Sequence, residues 1–286
     1  MTIHEAQQQL LFQLYDIYED REAQAIADWV MEHITEWKKI DRILNKKVPL
    51  SVQQQQALGD ITHQLMQHKP VHYILHQAWF SGMKLYVDEN VLIPRPETEE
   101  LVEWALEELK VLQMSRIKIL DVGTGSGCIP VALKKKLPGA EIYACDISEG
   151  ALKVAERNAR EQQVDINLVR LDFLHPAARE SLPLFDCIIS NPPYISQQER
   201  AAIDKHVIDH EPHTALFVPD DNSLIFYEHL ADFGRTHLQP GGIMMMEIHY
   251  AKGEAVSELF LAKGYEVQIK KDMQNKDRMI KAKRIL

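Results

Sequence analysis

Cysteine is scarce, at three residues in 286. An odd count with no paired spacing argues against a disulfide framework. Cys128, Cys145 and Cys187 read as small core residues in a reducing compartment. Long apolar runs are missing: none approaches the ~18 residues needed to cross a bilayer. The opening residues, Met1-Thr2-Ile3-His4-Glu5, are polar and acidic, unlike a signal peptide. A cytoplasmic protein is therefore expected, with a monomer as the default. Positive charge is in deficit, 32 Lys and Arg against 42 Asp and Glu, a net −10. Nucleic-acid binders rely on phosphate neutralisation, so direct binding of free nucleic acid is disfavoured. The one basic concentration, Lys270, Lys271, Lys276, Arg278, Lys281, Lys283 and Arg284, reads as solvated charge on a terminal β-hairpin. Metal-ligand sets are lacking too. His72/His76 and His206/His210 are spaced i, i+4, but neither pair carries the glutamate of H-E-x-x-H. Surface or packing histidines are the default, and no metal is expected.

What is present divides the chain. Residues 1–75 carry apolar stripes at helical spacing, Leu10, Leu11, Leu14, Tyr15, Tyr18 and then Ala23, Ile26, Ala27, Val30, Ile34. This small all-α domain holds no catalytic signature, so holding a partner or orienting a substrate is its expected task. Residues 76–93 read as a β-hairpin linker, with strands Ala78-Trp79-Phe80 and Leu85-Tyr86-Val87 turning near Ser81-Gly82. From 94 to 286 an amphipathic helix, Glu97 to Val111, leads into alternating strand and helix patterns. Strands are expected near Ile117, Glu141, Ile166, Phe185 and Gly241, closed by the pair Tyr265–Lys271 and Met279–Arg284. Such alternation specifies a parallel sheet covered on both faces. The three methionines Met244 to Met246 read as buried-strand filler.

Chemistry concentrates at strand ends. Ile117 to Leu120 runs into Asp121-Val122-Gly123-Thr124-Gly125-Ser126-Gly127. Alternate glycines let the backbone turn sharply and approach a ligand. A dinucleotide G-x-G-x-x-G would want glycine at 128, where Cys128 stands, so a nicotinamide cofactor is disfavoured. Asp121 could face an ammonium group. Asp146 closes the second strand, where doubly wound folds grip a ribose diol, and Ile147 could lie on an adenine face. Asp172 and Phe173 follow the third strand, positioned to accept from an exocyclic amine and to flank its ring. After Phe185 to Ser190 comes Asn191-Pro192-Pro193-Tyr194. Prolines fix φ and lack N–H donors. The Asn191 side chain and the Pro192 carbonyl are thereby held as acceptors for a planar –NH2 group, with Tyr194 stacking on it.

These residues resemble the class I S-adenosylmethionine-dependent amino-methyltransferases. With Leu92-Ile93-Pro94-Arg95-Pro96-Glu97-Thr98-Glu99 and Pro70-Val71-His72-Tyr73-Ile74-Leu75, the chain resembles, within that class, the peptide-chain release factor N5-glutamine methyltransferases (HemK type). The likeness runs from about Pro70 onward, and the segment before it suits the family's helical N-terminal domain. His76 departs from a usual glycine, 217–224 from a more glycine-rich loop, and Ile248-His249 from a typical Ile-Gly. The resemblance implies an α/β fold: a Rossmann-like, mixed seven-stranded sheet with helices on both faces, preceded by the all-α domain. It also implies S-adenosyl-L-methionine as cofactor. The expected reaction is methyl transfer to the amide nitrogen of the glutamine in the Gly-Gly-Gln motif of class I release factors. Asn191, Pro192, Pro193 and Tyr194 would bind substrate and perform catalysis. Asp121, Gly123 to Gly127, Asp146, Ile147, Asp172, Phe173 and Asn191 would hold the cofactor. Adenine N6 or guanine N2 of a nucleic acid presents a similar amino group and is the alternative substrate. A non-catalytic scaffold is the third reading, opposed by the intact tetrapeptide.

Overall fold

Buried β-branched and aliphatic residues, Ile119, Leu120 and Val122 among them, build the central strand of the molecule. The computed structural model describes residues 1–111 and 116–284. Contacts group these into two units, Met1–Gln77 with Asp204–His210, and Ala78–Ile203 with Glu211–Leu286.

In the first unit, α1 (Ile3–Leu14), α2 (Asp20–Thr35), α3 (Lys39–Leu44), α4 (Val52–Met66) and α5 (Val71–Leu75) follow one another closely. Capping boxes start two of them: Thr2 with Glu5 on α1 and Ser51 with Gln54 on α4. Each satisfies backbone N–H groups that have no partner inside the helix. Ala6, Leu10, Leu14, Ala23, Ala27, Val30, Met31 and Leu65 are fully enclosed between them. His76 ends α5 at φ 50°, ψ 44°, a left-handed cap conformation in which glycine is unstrained. The unusual histidine thus occupies a site whose backbone favours glycine. Asp204–His210, which contains α10 (Lys205–His210), lies in the span expected to be catalytic but groups with the first unit.

The second unit opens with β1 (Ala78–Phe80) and β2 (Met83–Leu85). The second hairpin strand was expected at 85–87; the turn explains the difference. Ser81 and Gly82 both take positive φ, 48° and 74°, so a two-residue turn pairs Phe80 directly with Met83. Nor is the hairpin a mere linker, since Phe80 and Leu85 are buried with α6 (Pro96–Val111) in one core cluster.

Strand and helix then alternate as β3 (Lys118–Val122), α7 (Cys128–Lys136), β4 (Glu141–Asp146), α8 (Glu149–Glu161), β5 (Asn167–Arg170), α9 (Pro176–Arg179) and β6 (Phe185–Ser190). A short parallel pair, β7 (Ile195–Ser196) and β8 (Phe217–Val218), brackets a 3-10 turn, α10 and α11 (His213–Leu216). The chain ends with α12 (Ile225–His237), β9 (Leu238–Glu247), α13 (Gly253–Ala262), β10 (Tyr265–Lys271) and β11 (Asp277–Arg284). The seven-stranded sheet has the order β10-β11-β9-β6-β3-β4-β5, with β11 antiparallel to both neighbours and the other pairings parallel. Side-chain alternation sends Ile119, Cys187, Ile189 and Met245 to the face under α6 and α7, and Leu120, Ile188, Met244 and Met246 to the face under α12 and α13. The methionines are core filler, as expected. From β3 the chain steps outward to β4 and β5, then returns to β6 on the other side of β3. Ligands of open sheets bind at such a switch, beyond the carboxyl ends of the strands.

Candidate active site

Strand register puts the two principal motifs side by side. Val122 of β3 pairs with Ser190 of β6, and Ser190 Oγ donates to the Val122 carbonyl at 2.7 Å. The next residues on each strand are Gly123 and Asn191.

Gly123, Gly125 and Gly127 all adopt positive φ, 73°, 52° and 75°. At Gly127 space is limiting as well, because a Cβ would stand 2.9 Å from that of Ala155 on α8. The loop is tied to β4 by Gly123 and Thr124 N–H groups donating to the Cys145 carbonyl, at 2.9 and 3.0 Å. Gly125 N–H donates to Asp146 Oδ2 and Ser148 N–H to Oδ1, each at 2.9 Å. Burial raises the Asp146 pKa, while the N–H groups of Ser148, Gly125 and Ile147 oppose that shift. Behind the loop lies Asn158, a fully buried amide that sequence reasoning missed. Its Nδ2 donates to the carbonyls of Tyr86 and Ser126, and its Oδ1 accepts from Tyr86 N–H at 2.7 Å. The available signal was a lone amide on the apolar face of α8, among Ala151, Val154, Ala155 and Ala159.

A cavity of about 350 Å³ opens at this edge. Residues 123–126, Asp146, Ile147, Asp172, Phe173, Asn191, Pro192 and Pro193 all contribute to its lining, so the structure brings most of the expected site together. Ile147 is 55 % exposed, whereas Phe173 is buried edge-on to Phe233 with the Arg179 guanidinium over its ring. Asp172 is exposed, and its Oδ1 accepts from Leu174 N–H at 3.0 Å. Gly127 lies outside the lining as the N-cap of α7. Asp121 and Tyr194 are outside it too.

Asp121 is fully buried, and neither carboxyl oxygen has a hydrogen-bond partner. Burial pushes its pKa up to about 7, with the Asp146 charge adding to the shift. Thr124 Oγ1 approaches closely enough to offset part of that cost, yet it does not meet hydrogen-bond geometry and is itself unpartnered. Buried polar groups without partners are rare in folded proteins.

Around Asn191 a chain of hydrogen bonds joins three elements. Asn191 Nδ2 donates to Thr98 Oγ1 at 3.0 Å, and Thr98 Oγ1 donates to Glu247 Oε2 at 2.7 Å. Tyr194 was expected to stack on a bound amide. Its hydroxyl donates to Glu247 Oε1 at 3.3 Å, and Lys252 Nζ donates to its carbonyl at 2.9 Å. Burial raises Glu247 to about 7 against the pull of Thr98 and Arg278, with Glu97 adding like charge. The rim is fastened by Glu211, whose buried carboxylate accepts from Arg95 at 2.6 Å and from Ile93 N–H at 3.3 Å. Thr98, Glu247 and Glu211 were not among the expected site residues. Among the described residues no cluster of His, Cys, Asp or Glu could hold a metal.

These residues fit S-adenosylmethionine chemically. An ammonium matches the unpartnered acid near the loop, a ribose diol matches Asp146, and Ile147 with Phe173 offers apolar surface to a purine. Sheet order and loop positions together define a class I methyltransferase, for which fold and family imply that cofactor. Residues 105–215 match the family described as methyltransferase small domain, and residues 5–75 match the PrmC N-terminal domain. The release factor glutamine methyltransferase of Flavobacterium psychrophilum is 38 % identical over 98 % of this chain and 99 % of its own length. That of Bacteroides thetaiotaomicron is 37 % identical over 95 % and 96 %. A methyltransferase from Pyrococcus furiosus superposes with a TM-score of 0.51 at 16 % identity, covering 80 % of this chain and all of the other; this likeness concerns the fold alone. The chain belongs to the release factor glutamine methyltransferase family.

Proposed function

We propose that the protein methylates the side-chain amide nitrogen of the glutamine in the Gly-Gly-Gln motif of class I release factors. The observation that carries this reading is the Asn191 amide. Its nitrogen is bonded to Thr98 while the residue lines the cavity, so its oxygen is the end left for a ligand. An acceptor at that point suits an amide N–H.

S-adenosylmethionine, when bound, supplies an electrophilic methyl group on a sulfonium. Asp121, residues 123–127, Asp146, Ile147, Asp172, Phe173 and Asn191 are the residues that would hold it. Asn191 Oδ1 and the Pro192 carbonyl each take one N–H of the substrate amide and orient the nitrogen. Alignment of reacting groups is worth up to ~7–11 kcal/mol in favourable cases. As positive charge grows on nitrogen the two acceptors bind more tightly, which favours the transition state over the ground state. Pro193 helps enclose the site and Tyr194 braces it through Glu247. No strong base is needed, because the methylated nitrogen sheds its proton to solvent.

A protein substrate agrees with a net charge of −10 and with the helical N-terminal domain. A nucleic-acid amino group is the less favoured reading. We also infer a cytoplasmic monomer acting in translation termination. In support, no helix among the described residues is long and apolar enough to cross a membrane, and the three cysteines are unpaired. The test is incubation with labelled cofactor and a release factor, followed by mass spectrometry. One added methyl on the Gly-Gly-Gln glutamine is expected. Label found only in added RNA or DNA would refute the assignment.

A further inference from the structure

Which end of the Asn191 amide faces the cavity decides whether the site offers an acceptor or a donor. A carboxamide presents an oxygen on one side and an –NH2 on the other, at nearly equal size. Something must choose between them, and the bonding around Thr98 does so. Both oxygens of Glu247 accept, Oε2 from Thr98 and Oε1 from Tyr194. The single hydroxyl proton of Thr98 is therefore committed to Glu247, and its oxygen can only accept from Asn191. Only the Nδ2 end of Asn191 can satisfy it, at 3.0 Å. The carboxylate is a one-way terminus, and its polarity passes through the hydroxyl to the amide.

We propose that Thr98 and Glu247 are positioning residues that set the direction of this chain, so that Asn191 presents its oxygen to the substrate amide. The inference rests on the reading of Asn191 as the amide acceptor. It explains why a buried acid, 2 % exposed, stands at the end of β9. It also gives Thr98 a task that its place in the first turn of α6 does not by itself require. A reversed amide would aim an –NH2 at the substrate's own –NH2, donor against donor.

The experiment compares Thr98→Val, Thr98→Ser and Glu247→Gln with the wild type, using the full chain and a release factor as substrate. Valine keeps the shape and deletes the hydroxyl, whereas serine keeps the hydroxyl. A misaligned acceptor costs about 10²-fold in rate. The expected result is a loss of kcat of that order in Thr98→Val, with cofactor affinity by calorimetry unchanged, and recovery of most of it in Thr98→Ser. Glu247→Gln, which can donate as well as accept, falls between them. Wild-type kcat in Thr98→Val, or equal losses in the valine and serine variants, overturns the proposal. A second readout needs no substrate: the Asn191 side-chain amide signal in nitrogen-15 NMR, identified by its loss in Asn191→Asp. It should exchange slowly with deuterium in the wild type and Thr98→Ser but fast in Thr98→Val; equal exchange in all three overturns the proposal. If the wild type leaves release-factor glutamine unmodified, the functional reading falls while the exchange rates still judge the chain of bonds.

Discussion

Replacing Asp121 by asparagine should stabilise the cofactor-free protein at alkaline pH while impairing its binding of the cofactor. The carboxyl is fully buried, lacks any partner, and is raised from an ordinary 3.8 to about 7. At ~1.4 kcal/mol per tenfold change in proton affinity, that displacement corresponds to ~4 kcal/mol. The sign follows from linkage. A carboxyl whose folded pKa is raised contributes stability that is complete below the unfolded pKa and is lost as pH rises through the folded one. For Asp121 the loss spans roughly pH 4 to 7, and ~3 kcal/mol of it falls between about pH 5 and pH 8. Asparagine cannot titrate. Its unpaired amide carries a cost of ~1–3 kcal/mol at every pH. Titrating groups not coupled to Asp121 are present in both proteins and cancel in the difference. Urea unfolding at about pH 5 and about pH 8 should therefore show the variant gaining ~3 kcal/mol on the wild type across the interval. Calorimetry should show weaker cofactor binding by the variant, which lacks the charge we assign to the ammonium. Stability curves that run parallel across that range would show that Asp121 is not an unpartnered buried acid in solution.

Asn191→Ala should lower kcat by ~10²–10³-fold, the scale for removing one preorganised transition-state contact, with a much smaller loss of cofactor affinity; an unchanged rate contradicts its role. Asp146→Ala should weaken the cofactor by about 10–100-fold in calorimetry, as expected for losing a charged hydrogen bond. Asn158→Ala removes three hydrogen bonds, from Tyr86 N–H and to the Tyr86 and Ser126 carbonyls, so unfolding should show a loss of ~3 kcal/mol. The rate should also depend on Glu247, which faces Thr98 and Glu97 on α6, Arg278 on β11 and Tyr194 beyond β6, and whose pKa lies at about 7. As pH falls below that value the acid takes a proton, can donate to Thr98, and frees the Asn191 amide to turn. The expected profile drops on the acid side and flattens in Glu247→Gln; identical profiles in both proteins refute the link.

The main architecture was legible because its signals are local. Glycines at 123, 125 and 127 announce a turn that needs positive φ, and the apolar run before Asn191 announces a buried strand. The strand series, the fold class and the family followed from such segments. Less was legible where distant segments decide. Thr98 and Glu247 are 149 residues apart, Asn191 and Thr98 are 93 apart, and Ile93 and Glu211 are 118 apart. No spacing rule links such positions. The Glu247 partner of the Tyr194 hydroxyl was likewise illegible, because that acid comes from another strand. The hairpin register was missed for a simpler reason. Turn length fixes it, and both turn residues, including Ser81, adopt the left-handed region.

The hydroxyl-to-carbonyl bond between Ser190 and Val122 also bears on how the enzyme can vary. The glycine loop at 123–127 and the tetrapeptide at 191–194 leave adjacent strands of one sheet at matched positions, so their separation is inherited from backbone pairing and not from either loop. The divergent stretch at 217–224 reaches the same cavity through Phe217 and Pro219, so exchange there would reshape the lining while the pairing of β3 with β6 still fixes how far apart the two motifs stand.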